Sequence, residues 1–249
     1  MPRTEVLRFT SAVNGVRYAL YVRPARVGAA PVVVTLDADY QFAIAANHIE
    51  HLADRDQAPE TTLVSIGYDG QYPDRERYHI NRTRDYTPIH VAAGGYGAQA
   101  QAVSGGAPAF VRVIEEEILP MVERRYGASG AGRTIVGHSF GALFGAWLLC
   151  THASLFERYL LVSPSLWYGD GYVLGLPAPV AAAARVFVGV GSFEEQPENQ
   201  RAMVSQARSF VLSLGAAGGI AAELRVFEGE THASIFPTAF SVGIRSLFS

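Results

Sequence analysis

A single cysteine, Cys150, stands among 249 residues, so no disulfide forms within the chain. Its place in an apolar stretch reads as a packed thiol rather than a reactive one. Uninterrupted apolar runs of about 18 residues are missing, and the opening Met1-Pro-Arg-Thr-Glu-Val6 has no apolar signal core. A soluble, cytoplasmic protein that does not enter a membrane is the expectation. Charge is also scarce, at 17% of residues, and the formal net charge of -3 gives no global reason to expect nucleic acid. No internal repeat is found. Against these absences stands a hydrophobic fraction of 49%, which excludes wholesale disorder and suits one large α/β unit with a sizeable core.

Strand and helix signals alternate along the chain. Alternating runs at residues 5–10 and 16–22 flank Asn14-Gly15, a dipeptide that accepts the positive φ of a tight hairpin turn, so the chain opens antiparallel. Pro31-Val-Val-Val-Thr-Leu36 is a continuous apolar run, as in a strand covered on both faces, and an amphipathic segment around residues 44–52 follows it. Another strand at 62–66 precedes a long irregular region at 67–108, longer than compact domains carry without a functional reason. Residues 110–126 have helical spacing, with Pro120 expected to kink or locally adjust the helix. Further strands are expected at 134–137, 159–163, 185–190 and 223–227, with helices after the turn at 137–141, from about 199 to 214, and beyond Pro237. Such alternation implies an α/β fold: a mostly parallel central sheet with an antiparallel N-terminal hairpin, helices on both faces and right-handed crossovers. The expected organisation is a single domain over 1–249, with a long loop or lid at about 68–108.

The stretch Thr134-Ile-Val-Gly-His-Ser-Phe-Gly-Ala142 reads as strand, sharp turn and helix. A nucleophile elbow needs glycines two before and two after its serine, where strand and helix backbones crowd together, and Gly137 and Gly141 meet that need. Ser139 is therefore the candidate nucleophile, placed at a helix N-terminus whose partial charge favours developing anions. Catalytic groups of such a sheet gather at the carboxyl ends of strands. Two later loops qualify: Gly191-Ser-Phe-Glu-Glu195 supplies carboxylates, and Gly229-Glu-Thr-His232 supplies a histidine. The order Ser, Glu, His is that of an α/β-hydrolase triad, with His232 as base and a carboxylate orienting its ring. Glu194 is favoured over Glu195, although neighbours face different ways and the choice stays open. The Phe140 N–H and one from the loop after Leu36, at Ala38, are the expected oxyanion donors. Of the seven histidines, His138 reads as helix packing and His152 as exposed. His48 and His51 lack a third ligand at suitable spacing and read as a solvated helix face, and His79 and His90 are candidate substrate contacts. No metal and no cofactor is called for.

Four motifs in order, Gly137-His-Ser-Phe-Gly-Ala-Leu-Phe-Gly145, Ser163-Pro-Ser-Leu-Trp-Tyr168, Arg82-Thr-Arg-Asp-Tyr-Thr-Pro88 and Gly229-Glu-Thr-His-Ala-Ser-Ile-Phe-Pro237, resemble the putative esterase family of α/β-hydrolases. Within it the likeness runs toward the siderophore esterases of the enterobactin and salmochelin trilactone type. The resemblance implies the α/β-hydrolase fold, Ser139 as nucleophile, His232 as base and the Leu36-Asp-Ala-Asp39 loop as oxyanion contributor. Some trilactone esterases work as a Ser–His dyad, which leaves the role of Glu194 open. Arg75, Arg77, His79, Arg82 and Arg84 are interleaved with Tyr72, Tyr78 and Tyr86. Such a loop suits an anionic aromatic ferric siderophore by charge and stacking, or else its arginines pair with Asp74, Glu76 and Asp85. Arg84, Tyr86 and Trp167 are the candidate substrate-binding residues. The expected activity is serine esterase action on a small-molecule ester, a siderophore-type trilactone or other aromatic ester. An acyltransferase using the same acyl-serine and a noncatalytic binding protein on this scaffold are the alternatives.

Overall fold

A two-residue period in the first strands decides which helices they can hold. The computed structural model describes residues 3–128, 132–179, 183–196, 201–217 and 220–249, in two compact units, Met1–Arg133 and Thr134–Ser249. In the first, β1 (Glu5–Thr10) pairs antiparallel with β2 (Arg17–Arg23), Glu5 facing Val22 and Thr10 facing Arg17. Next come β3 (Val32–Thr35), α1 (Ala38–Ala53) and β4 (Thr62–Tyr68), with β4 parallel to β3 and antiparallel to β2. The β1–β2 connection is a hairpin turn that contains Asn14-Gly15. Four residues, 12–15, bridge it, closed by Ser11 N–H to Val16 C=O and Gly15 N–H to Ser11 C=O, both 2.9 Å. Gly15 takes a φ of 72°, while the Asn14 side chain accepts the Val16 N–H at 3.1 Å.

Tyr18 and Tyr21 are three residues apart on β2 and so project to opposite faces. Tyr21 meets Phe42 of α1 with ring centroids 5.6 Å apart, and Tyr18 meets Phe110 at 5.9 Å. Helices therefore cover both faces of this unit, as the alternation implied. Phe110 belongs to α3 (residues 107–126), which runs through an α-helical Ala107–Arg112, a π-helical Val113–Ile118 and an α-helical Leu119–Tyr126. The wider turn just before Pro120 absorbs the missing N–H, which is how the local adjustment expected there is made.

Residues 67–108 are not one irregular stretch. They contain α2 (Arg75–Tyr86), capped by the Asp74 side chain, which accepts the Arg77 N–H at 3.0 Å. The buried residues of α2 are Arg82, Thr83, Asp85 and Tyr86, a mostly polar inner face that leaves no apolar stripe in the sequence. Burial of these charges is tolerated because each has partners. Arg82 holds Asp37 with two parallel bonds, 3.1 and 2.9 Å, the two side chains only 3% and 1% exposed. Asp85 accepts from the Tyr18 and Tyr68 hydroxyls at 2.8 and 2.9 Å and from Arg84 at 2.7 and 3.0 Å.

In the second unit, β5 (Arg133–His138), α4 (Phe140–Thr151), β6 (Arg158–Val162), β7 (Arg185–Gly191), α5 (Met203–Ala217), β8 (Ala221–Phe227) and α6 (Phe236–Phe248) follow one another. β5 is parallel to β6, β6 to β7 and β7 to β8. Leu160 and Leu161 point to opposite faces of β6. A Cβ on Gly145 of α4 would meet Leu161 at 2.6 Å, and one on Gly243 of α6 would overlap Leu160. Missing side chains at these two positions let a helix lie close on each face. The start expected for α5 near Asn199 falls outside the described residues. Cys150 is partly buried in α4, and burial pushes its thiol up to about 11, so it stays protonated at neutral pH. No helix among the described residues is long and apolar enough to cross a membrane.

Removing one partner of the buried Arg82–Asp37 pair strands the other. Arg82→Met should lower unfolding stability by about 3–5 kcal/mol in urea titration, and adding Asp37→Asn should restore part of that loss.

Candidate active site

Steric crowding builds this site first. A Cβ on Gly137 would run into the backbone of Gly141, so β5 can turn into α4 only with glycine there. The turn forces Ser139 to φ 60°, ψ -118°, a sparsely populated backbone region for any side chain other than glycine. Three hydrogen bonds hold it: Ser139 N–H to Val162 C=O at 3.0 Å, and the Ser139 C=O accepting from Leu143 at 2.9 Å and Ser165 at 3.3 Å. Phe140 then opens α4, and the first N–H groups of that helix have no partner within it.

At the end of β7, Glu194 sits in a single 3-10 turn, its side chain 2% exposed. Oε1 accepts from the Ser163 hydroxyl at 2.6 Å and from Gly191 N–H at 2.8 Å. Oε2 accepts from His232 Nδ1 at 2.6 Å. With Nδ1 donating to the carboxylate, Nε2 of the ring is left as the acceptor. The loop carrying His232 is fixed from the elbow itself, because His138 Nε2–H donates to the His232 C=O at 2.9 Å and the two rings lie 4.7 Å apart. His138 thus braces the loop of the candidate base rather than only packing a helix. The Ser139 hydroxyl rests against Ser165 Oγ at 3.3 Å and makes no hydrogen bond to His232. Catalytic hydrogen bonds of this kind often tighten only around substrate. A serine on a strained strand-to-helix turn, an imidazole and a buried carboxylate together are an arrangement able to perform acyl transfer.

The two neighbouring glutamates separate cleanly. Glu195 turns away from His232 and accepts from Ser205 N–H at 3.0 Å and from the Ser205 hydroxyl. These contacts cap the start of α5 and hold the Glu195 carboxyl below its usual range.

The other expected residues lie as follows. Ala38 is buried at the start of α1 in the first unit, directly after Asp37, whose φ is 54°. Tyr86 is fully buried and its hydroxyl accepts the Asp37 N–H at 3.2 Å, so it has no face for a ligand. The Arg84 guanidinium is committed to Asp85 and lies over Tyr68, 5.5 Å from the ring centroid. Of the two readings of the Arg- and Tyr-rich segment, internal pairing therefore describes Arg82 and Arg84. That unit also holds a cavity of about 240 Å³ lined by Asp39, Tyr40, Gln71, Tyr72, Pro73, Asp74, Arg75 and Tyr78. His79 stacks on Tyr96 at 4.0 Å and His90 Nδ1 lies 3.0 Å from Ser104 Oγ. Trp167 is half-buried in the second unit, its ring 5.9 Å from that of Phe140. Ser163 and Ser165 are site residues that no sequence expectation names individually. Their signal was present in the Ser163-Pro-Ser165 sequence just beyond β6, where two hydroxyls follow a buried strand.

The family model described as putative esterase matches residues 12–243. Among similar proteins, the ferri-bacillibactin esterase BesA of Bacillus subtilis strain 168 is 27% identical over 264 residues, covering 98% of this chain and 89% of that protein. Among solved structures, the BES protein from Bacillus cereus has a TM-score of 0.83 at 25% identity, over 100% of this chain and 97% of that one. An IroE-like serine hydrolase from Shewanella oneidensis has a TM-score of 0.82 at 25% identity, over 98% and 80% of the two chains. The fold is the α/β-hydrolase fold.

The two glutamates should respond differently to substitution. Glu195→Ala should lower stability by about 1 kcal/mol in a urea melt and keep the downfield proton NMR resonance of His232 Nδ1–H. Glu194→Gln should abolish that resonance.

Proposed function

The chain belongs to the putative esterase family and is a carboxylic ester hydrolase, and from that premise we propose that Ser139 carries the acyl group as a covalent intermediate. The observation behind this reading is the 2.6 Å contact from His232 Nδ1 to the buried Glu194, in a loop tied to the elbow that carries Ser139. Rotation about χ1 turns the Ser139 hydroxyl from Ser165 toward His232 Nε2, which takes its proton as the oxygen attacks the ester carbonyl. The carboxylate of Glu194 stabilises the resulting imidazolium and keeps the ring in the tautomer that leaves Nε2 free. The Phe140 N–H and the positive end of α4 face the developing oxyanion. His232 then returns the proton to the departing alcohol, and water, deprotonated by the same imidazole, releases the acid and restores Ser139.

For the substrate we assign a siderophore-type ester. Support comes from the BesA relative, described as a ferri-bacillibactin esterase and aligned over 98% of this chain. Ser139→Ala should reduce turnover of a p-nitrophenyl ester by about 10⁴-fold or more without unfolding the protein, and a fluorophosphonate should label Ser139 in the wild type. Near-normal turnover in that variant rejects the nucleophile. Chromatography of products from ferric and iron-free trilactones tests the substrate class: cleavage of neither, by enzyme active on the simple ester, rejects it.

A further inference from the structure

Beyond Ser165 the chain forms a turn tied to the nucleophile's own backbone. Ser165 N–H donates to the Ser139 C=O at 3.3 Å and Tyr168 N–H to the Ser165 C=O at 3.1 Å, which fixes Trp167 between them. The Trp167 ring lies 5.9 Å from that of Phe140, the residue directly after Ser139. Over Trp167 sits Arg201, its Cζ 4.3 Å from the ring centroid. Arg201 enters on a two-residue strand, Arg201–Ala202, paired antiparallel with Glu195–Gln196 so that Arg201 faces Gln196. That pairing sets the Arg201 backbone beside the segment that directly follows Glu194.

Stacking engages the flat face of a guanidinium and leaves the N–H groups at its edge pointing outward in the plane. Arg201 is exposed, and among the described residues no carboxylate lies within ion-pair distance of it. Glu195, which faces Ala202 across the short ladder, is committed to the start of α5. Among the described residues, the side chain therefore presents a positive edge without a carboxylate partner, beside a ring that itself lies against Phe140 of the elbow. An edge of this kind matches carboxylate or phenolate oxygens in a bidentate way, and the ring beside it matches an aromatic plane.

We propose that Arg201 and Trp167 form a subsite for a negatively charged aromatic group of the ester, a proposal that rests on Ser139 being the nucleophile. The subsite selects substrates by charge: an aryl ester whose ring bears a carboxylate or phenolate is preferred over a neutral ester of the same size.

The test compares 4-nitrophenyl 3-phenylpropanoate with its analogue bearing a ring carboxylate, by release of 4-nitrophenol. Wild-type enzyme should favour the anionic ester in kcat/KM, and the preference should shrink as salt is raised. Arg201→Gln should lower the anionic-to-neutral ratio of kcat/KM by about tenfold, mainly through KM of the anionic ester. Arg201→Lys, which keeps the charge without the planar fork, should fall between them. A wild type without preference, or a ratio unchanged in Arg201→Gln that still reacts with fluorophosphonate at Ser139, overturns the subsite and leaves the nucleophile standing. Failure of the wild type to be labelled at Ser139 overturns the nucleophile reading itself.

Discussion

Backbone contact between Gly137 and Gly141 is the constraint on which the second unit depends. Because β5 and α4 approach this closely, Ser139 is forced into a backbone region that costs on the order of 1–3 kcal/mol. That cost is borne only because the surroundings over-determine the turn. The parallel ladder with β6 fixes the strand, Leu143 fixes the helix start, and Ser165 ties down the next crossing of the chain. His138, inside the same turn, fixes the loop of His232. A strained serine and the groups around it are thus one construction, in which the elbow sets the position of everything that reaches it.

Among the described residues, the three buried acidic residues Asp37, Asp85 and Glu194 obey one rule: each carboxylate is held by donors, and the identity of the donors determines what the group does. Asp85 is saturated by two tyrosine hydroxyls and Arg84, and Asp37 by the fork of Arg82. Every one of those donors is anchored, so these groups serve the fold. Glu194 differs in that Ser163 and Gly191 take one oxygen, while the other faces His232, whose side chain is 44% exposed. One oxygen locks the carboxylate in place and the other acts on a ring that reaches solvent.

Legibility followed the range of the interaction. The elbow was readable because its requirement for glycine is local, and the order of strands and helices was readable because apolar runs and turns punctuate them. Position α2 was hidden because its buried face is Arg82, Thr83, Asp85 and Tyr86, and no hydropathy period marks a face made of charges. Its N-cap, Asp74, was the available signal. Likewise the choice between Glu194 and Glu195 turns on donors distant in sequence, Ser163 and His232 for one and Ser205 for the other. A clash of adjacent side chains over two such partners is invisible until the chain is folded. Trp167 lies in a recognisable motif, whereas Arg201 has no motif around it and is defined by the ring it covers.

All 20 basic residues of the chain are arginine, and three of them show how the same group divides into structural and ligand-facing roles. A guanidinium has a face that stacks and an edge that donates, which lysine lacks. Arg82 has its edge on Asp37 and lies within 5.2 to 5.8 Å of the ring centroids of Tyr78, Tyr96 and Tyr86. Arg84 has its edge on Asp85 and its face toward Tyr68. Both have face and edge engaged inside the protein, so neither has capacity left for an anion. Arg201 has its face on Trp167, is exposed, and among the described residues has no carboxylate on its edge. Interleaved arginine and tyrosine in a sequence therefore does not by itself point to a ligand; the deciding property is whether an anchored carboxylate has already taken the edge.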